Sequence, residues 1–137
     1  MPSKQETFDL IAAHLIKQNA KSLAVDPESP WKRLACAYRG QGGMKCAAGA
    51  VLPDDRYEPS MEGGTVVPNF RASGARPRSA RVSSALEEVG HDLTLVHDLQ
   101  QVHDYYETPE WPDALIRVAT RFELDTGIVQ RTLAERS

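Results

Sequence analysis

In residues 4–20 and again in residues 84–136, apolar side chains recur three and four positions apart, and almost nowhere does the chain alternate. That period belongs to helices buried along one face, so it restricts the chain to a mainly α fold. In the first stretch Phe8, Ile11, Ala12 and Leu15 share a face, and Ser3 with Glu6 three residues on predicts a capping box. Ser84 followed by Glu87 predicts a second box, opening a helix with Ala85, Leu86 and Val89 inward. Gly90 either ends that helix, leaving Asp92 to cap another with Leu95, Leu99, Val102 and Tyr106 inward, or is tolerated inside one long helix. Thr108 and Pro109 read as the N-cap and first position of a helix carrying Trp111, Leu115, Val118 and Phe122. A last helix over 126–136 presents Val129 and Leu133.

Between the two helical regions lies a Gly/Pro-rich middle. Pro27 and Pro30 mark a connection into Trp31, which is expected to anchor it to the core. Residues 36–39 allow a strand, and 45–52 a short helix of small residues ended by Pro53. Residues 63–80, with Arg71, Arg76 and Arg78, read as a mobile basic surface loop. At 137 residues there is room for one core, so the expectation is a single helical domain over 1–137, of about five helices with a loop-rich middle. No repeat or low-complexity tract interrupts it.

No apolar run approaches the roughly 20 residues that span a bilayer, and the polar N-terminal residues do not resemble a signal peptide. A cytoplasmic protein with no membrane partner is expected, and in that compartment Cys36 and Cys46 are expected to be free thiols. The net charge of −3 divides unevenly: residues 1–81 carry 12 Lys and Arg against 8 Asp and Glu, and residues 82–137 carry 4 against 11. An acidic helical half suits a cationic partner or a surface imitating nucleic acid. Its candidate contact residues are Glu87, Glu88, Asp92, Asp98, Asp104 and Glu107.

Three chemistries can be weighed from residue types. Cys46 follows Lys45 at what reads as a helix start, a setting that lowers thiol pKa, with His91, His97 and His103 as possible bases. Nothing in the spacing selects a base, and a small apolar packing role for Cys46 is favoured. A metal site is not expected: nine residues separate the cysteines, and histidines six apart on one helix point about 240° from each other. No cofactor motif is expected, since the Gly-rich 39–45 stretch has neither a clear buried strand before it nor a clear long helix after it, as phosphate loops do. The middle segment is also explained without chemistry, by Arg39 or Lys45 pairing with Asp54, Asp55 or Glu62 to clamp a glycine-rich loop over the short helix, and by Asp104 accepting from His103 or from loop amides.

Residues 118–136 resemble the helix-turn-helix of small DNA-binding proteins. Ala119 falls at the small position of the first helix, Phe122 and Leu124 at buried ones, and Gly127, Val129 and Leu133 in the second. The resemblance implies that Thr126, Gln130 and Arg131 face base edges or phosphates. Glu123 stands where that motif usually has Gly, so it must accept a left-handed conformation or the turn must differ.

Cys36, Tyr38, Arg39 and Gly40, then Gly43, Lys45, Cys46, Ala47 and Gly49, then Leu52, Pro53, Asp54, Tyr57, Pro59, Met61, Glu62 and Gly63 form a pattern similar to one in small uncharacterised bacterial and phage proteins. A later Leu99, Gln100, His103, Asp104 segment extends the similarity. It brings no activity, but implies a phage or mobile-element setting, in which small acidic proteins bind a host or defence complex. The function expected is therefore a non-enzymatic protein-binding module, one version being an inhibitor of a CRISPR-Cas-like complex. The alternative is a helix-turn-helix DNA-binding regulator, and the third reading a thiol enzyme using Cys46.

Overall fold

The computed structural model describes residues 1–26 and 29–136; Pro27, assigned above to a connection, lies outside the described residues. Helix α1 (Lys4–Gln18) opens on the capping box expected for it. The Glu6 N–H donates to the Ser3 hydroxyl at 3.1 Å, and the Ser3 N–H donates to the Glu6 carboxylate at 3.0 Å. Its apolar face, with Phe8, Ile11, Ala12 and Leu15 fully buried, makes it the central element, packed against four of the other helices.

A two-stranded antiparallel hairpin follows, β1 (Leu23–Val25) and β2 (Leu34–Cys36), with Leu23 opposite Cys36 and Val25 opposite Leu34. Only β2 was anticipated, and it lies two residues earlier than the expected 36–39. Trp31 does not anchor the segment: it is 83% exposed. The reason is local, since it sits between Pro30 and the cationic Lys32 and Arg33, and Leu34, the nearest large apolar side chain after it, is itself exposed.

The short helix α2 (Ala47–Val51) begins after Cys46, whose Sγ accepts the Gly49 N–H as an N-cap. Gly49 is required there: a Cβ would stand 2.4 Å from the Tyr38 carbonyl oxygen. Helix α3 (Pro77–Glu88) starts seven residues before the predicted Ser84 cap, so residues 77–80 are helix rather than loop. Proline is pre-organised for a first helical position. The inward period was masked because two of its members, Ser79 and Ser83, are polar; their buried hydroxyls accept the N–H groups of Thr65 and Val67 and pin that stretch without making it a strand.

Gly90, at φ +93°, separates α3 from α4 (Leu93–Tyr105), which excludes the single long helix. Asp92 caps α4 as expected, accepting the Leu95 N–H at 2.9 Å. Glu107 rather than Thr108 is the next cap, because a 3-10 turn (Thr108–Glu110) precedes α5 (Trp111–Arg121). The last helix is α6 (Gly127–Arg136). The fold is thus mainly α, with six helices and one small sheet among the described residues, around a cluster of buried side chains. Among the described residues no helix is long and apolar enough to cross a membrane.

Candidate functional site

The Gln100, His103 and Asp104 side chains share one face of α4, three and four residues apart, and all reach toward the hairpin and α2. The Gln100 carbonyl accepts the first-turn Ala48 N–H, and its amide donates to Asp104 at 2.7 Å. His103 is fully buried. The Ser22 backbone N–H donates to its Nε2 at 2.9 Å, which requires an unprotonated Nε2 and places the ring proton on Nδ1, 2.8 Å from the Asp104 carboxylate. Burial pushes the Asp104 carboxyl up, but hydrogen bonds from His103, Cys36 and Gln100 outweigh it and hold the carboxyl below the usual carboxylate range.

Asp104 and Cys36 face a cavity of about 300 Å³, bounded by the hairpin, by Gln100 and by the Tyr57 and Glu62–Thr65 segments. Glu62, on the opposite side, accepts the N–H groups of Tyr38 (3.0 Å) and Arg39 (3.1 Å) and the Tyr57 hydroxyl (2.8 Å). The Arg39 guanidinium turns away from it, lies over the Tyr57 ring, and donates to the Gly49 and Leu52 carbonyls and to Asp54 at 2.9 Å. Those are carbonyls at the end of α2, where a helix leaves acceptors without partners. Lys45 reaches Asp54 at 3.9 Å, and Asp55 makes no ion pair among the described residues. Of the five clamp candidates, then, Arg39, Lys45 and Asp54 meet, and Glu62 serves backbone amides instead.

Cys36, His103 and Asp104 are also the one group of metal-ligating side chains that meets among the described residues, with ligand atoms all within 4.8 Å. Both nitrogens of His103 are already engaged, so the ring offers no lone pair, and the trio acts as a hydrogen-bond chain. Burial pushes the thiols of Cys36 and Cys46 each up to about 12, so both stay protonated at neutral pH. Of the possible bases for Cys46, His91 bonds Thr7 and His97 lies beside Asp98.

The acidic candidates do not form one free face. Glu87 pairs with Arg71 and Glu88 with Arg56; Asp92 caps α4 and lies 3.8 Å from Lys4. Asp98 holds Arg121, Glu107 caps a turn, and Asp104 points inward. In the α5 and α6 pair, Ala119, Val129 and Thr132 are buried, and Phe122 and Leu124 partly so. Glu123 takes the left-handed conformation at φ +57°, Gln130 and Arg131 are exposed, and Thr126 is half-buried.

Sequence reasoning missed Ser22 and the exposed hairpin residues Val25 and Leu34, singled out Gln100 without its role, and expected Trp31 in the core rather than on the surface. Of these Gln100 carried a signal, its place three and four residues before His103 and Asp104 on one helix. No protein-family model, curated protein or solved structure matches the chain.

Proposed function

We propose that the protein is a non-enzymatic binding module that holds a protein partner through the hairpin and the cavity beside it, the partner supplying a cationic side chain flanked by apolar residues. The observation that carries this reading is Asp104. Its carboxylate borders the cavity and receives hydrogen bonds from His103, Gln100 and Cys36, and no lysine or arginine pairs with it among the described residues, the Lys21 ammonium reaching the Asp104 main-chain carbonyl instead, at 3.5 Å. A half-buried carboxylate without a counter-charge attracts a cation of the right size more strongly than a solvated one does. Val25 and Leu34, opposite each other in the register, share a hairpin face with Cys36 and are exposed, as is Trp31. Tryptophan is enriched among residues that dominate binding energy at protein interfaces. This moves the contact surface away from the acidic helical faces, whose carboxylates have internal partners. The setting implied by the resemblance makes a host or defence complex the class of partner to offer first.

The test is capture from nuclease-treated bacterial extract with variants in parallel. A stoichiometric partner should be lost with Trp31→Ser and with Asp104→Asn, each verified as folded by circular dichroism, and kept with Asp98→Lys. Loss with Asp98→Lys alone would instead restore the acidic helices as the contact.

A DNA-binding reading is favoured by one observation, the left-handed Glu123 in a turn flanked by the inward pattern of Ala119, Leu124 and Val129. Electrostatics weigh against it. Residues 111–136 carry four arginines and four carboxylates, and two of the arginines are engaged, Arg121 with Asp98 and Arg136 with the Ile16 carbonyl. Duplex affinity rests largely on phosphate neutralisation. This reading requires affinity that falls steeply with salt and disappears in Arg131→Ala.

A further inference from the structure

A second groove, about 460 Å³, runs between α4 and α5. Along its α4 side stand His97, Gln101 and Tyr105, spaced four apart and so forming one stripe of the helix. Facing them on α5 are Arg117 and Arg121, one turn apart, above a floor of Val102, Ala114 and Val118. The two arginines are not equivalent. Arg121 lies 3.4 Å from Asp98, whereas Arg117 lies over the Tyr106 ring and has no carboxylate partner among the described residues. Tyr105 leaves 74% of its surface exposed at the rim.

From this arrangement we propose that the α4 and α5 groove binds a nucleotide, its phosphate against Arg117 and Arg121 and its base stacked on Tyr105. The chemistry of the two stripes divides in that way. An unpaired guanidinium offers the planar fork that phosphate oxygens accept. An exposed ring in the same groove offers a stacking platform, and Gln101 supplies both a donor and an acceptor for a base edge. The volume falls within the range of small-ligand sites, about 300–1,000 Å³. With Asp98 offsetting one arginine, the ionised side chains around the groove leave one net positive charge, in a half of the chain that is otherwise acidic. The site is separate from the hairpin cavity and from the exposed face of α6. Its ligand has two sources, a free nucleotide or a nucleotide unit of a single strand.

The experiment is calorimetric titration of the full chain at low salt with adenosine monophosphate, inorganic phosphate, a short thymidine oligonucleotide and an acidic peptide. The nucleotide should bind, and more tightly than phosphate alone. Arg117→Ala should weaken it about ten- to a hundredfold, and Tyr105→Ala about five- to a hundredfold, while Arg131→Ala and Trp31→Ser leave it unchanged. Tighter binding of the oligonucleotide, with the same dependence on Arg117 and Tyr105, identifies a single strand as the source; equal or weaker binding identifies the free nucleotide. The proposal is overturned by absence of binding to both. It is equally overturned by affinity indifferent to Arg117 and Tyr105, by phosphate binding as tightly as the nucleotide, or by the acidic peptide displacing the nucleotide from the groove.

Discussion

The Glu62 carboxylate accepts the backbone N–H of Arg39 at 3.1 Å, while the Arg39 guanidinium points the other way, to Asp54 and the carbonyls that end α2. One residue is thus held from both sides, its main chain by an acid and its side chain by a helix terminus. The consequence is a division of labour between charge and geometry. The Arg39 and Asp54 ion pair is the visible interaction, but Asp54 is 83% exposed and such pairs contribute little.

Arg39→Lys therefore should cost more than deletion of the partner. Lysine keeps the charge but loses the planar fork that serves several acceptors at once, leaving carbonyls of a partly buried loop without donors. The expected loss is about 1–3 kcal/mol for Arg39→Lys, against less than about 1 kcal/mol for Asp54→Ala, read as a shift in urea midpoint at constant slope. Equal losses would mean that the ion pair, not the carbonyl contacts, closes the loop.

Two histidines set the acid limit. Burial lowers the pKa of both His14 and His91 below the ordinary value, despite hydrogen bonds to the carbonyls of Lys45 and Val51 that oppose it. Below about pH 6.5 the unfolded chain takes up protons that the folded chain refuses, so stability falls with pH from there. Urea unfolding at pH 7 and pH 5 should show the loss, and His91→Gln should reduce it. A pH 5 deficit of the same size in His91→Gln would remove His91 from this account.

The two thiols set the opposite limit. Burial raises Cys36 and Cys46 to about 12, whereas an unfolded cysteine ionises at about 8.5. The unfolded chain therefore loses protons first as pH rises. The stability these groups contribute is complete below that value and is lost between it and about 12. The same protonation should leave both thiols slow toward a disulfide reagent at pH 8 in the native protein and fast in denaturant. Rapid native labelling of Cys46 would contradict its burial and reopen the thiol-enzyme reading.

How much of this was legible depends on what kind of atom carries the interaction. Side-chain periodicity exposed α1, α4 and α5, and charge types exposed the meeting of Arg39 with Asp54. The start of α3 was hidden because its inward face uses Ser79 and Ser83, whose hydroxyls are there to accept main-chain N–H groups. The roles of Glu62, Gln100 and His103 were hidden for the same reason: each is bonded to backbone amides of distant segments, and every residue but proline has one of those. Asp104 was legible in both its readings, as one of the acidic residues of a helix and as an acceptor for His103, and the structure has the second, with His103 Nδ1 2.8 Å from its carboxylate. The hairpin was too short and too rich in alanine for alternation to mark it.

The turn between α5 and α6 offers a sharper test, because a single residue there works against its own backbone. Glu123 sits at φ +57°, and left-handed backbone costs a residue with a Cβ roughly 1 kcal/mol or more. Its N–H donates to the Thr120 carbonyl at 3.2 Å, a bond glycine would keep, while its exposed side chain makes no hydrogen bond or ion pair among the described residues to compensate the strain. Glycine relieves the steric conflict but adds freedom to the unfolded chain, so the two effects oppose each other. In a left-handed position the steric term is the larger, as the preference for glycine after helix ends shows. Glu123→Gly should therefore stabilise the protein by about 0.5–1 kcal/mol, measured by thermal and urea unfolding. Should it destabilise instead, the glutamate must be held by contacts that the free chain alone does not account for, and the turn would be the place to look for them.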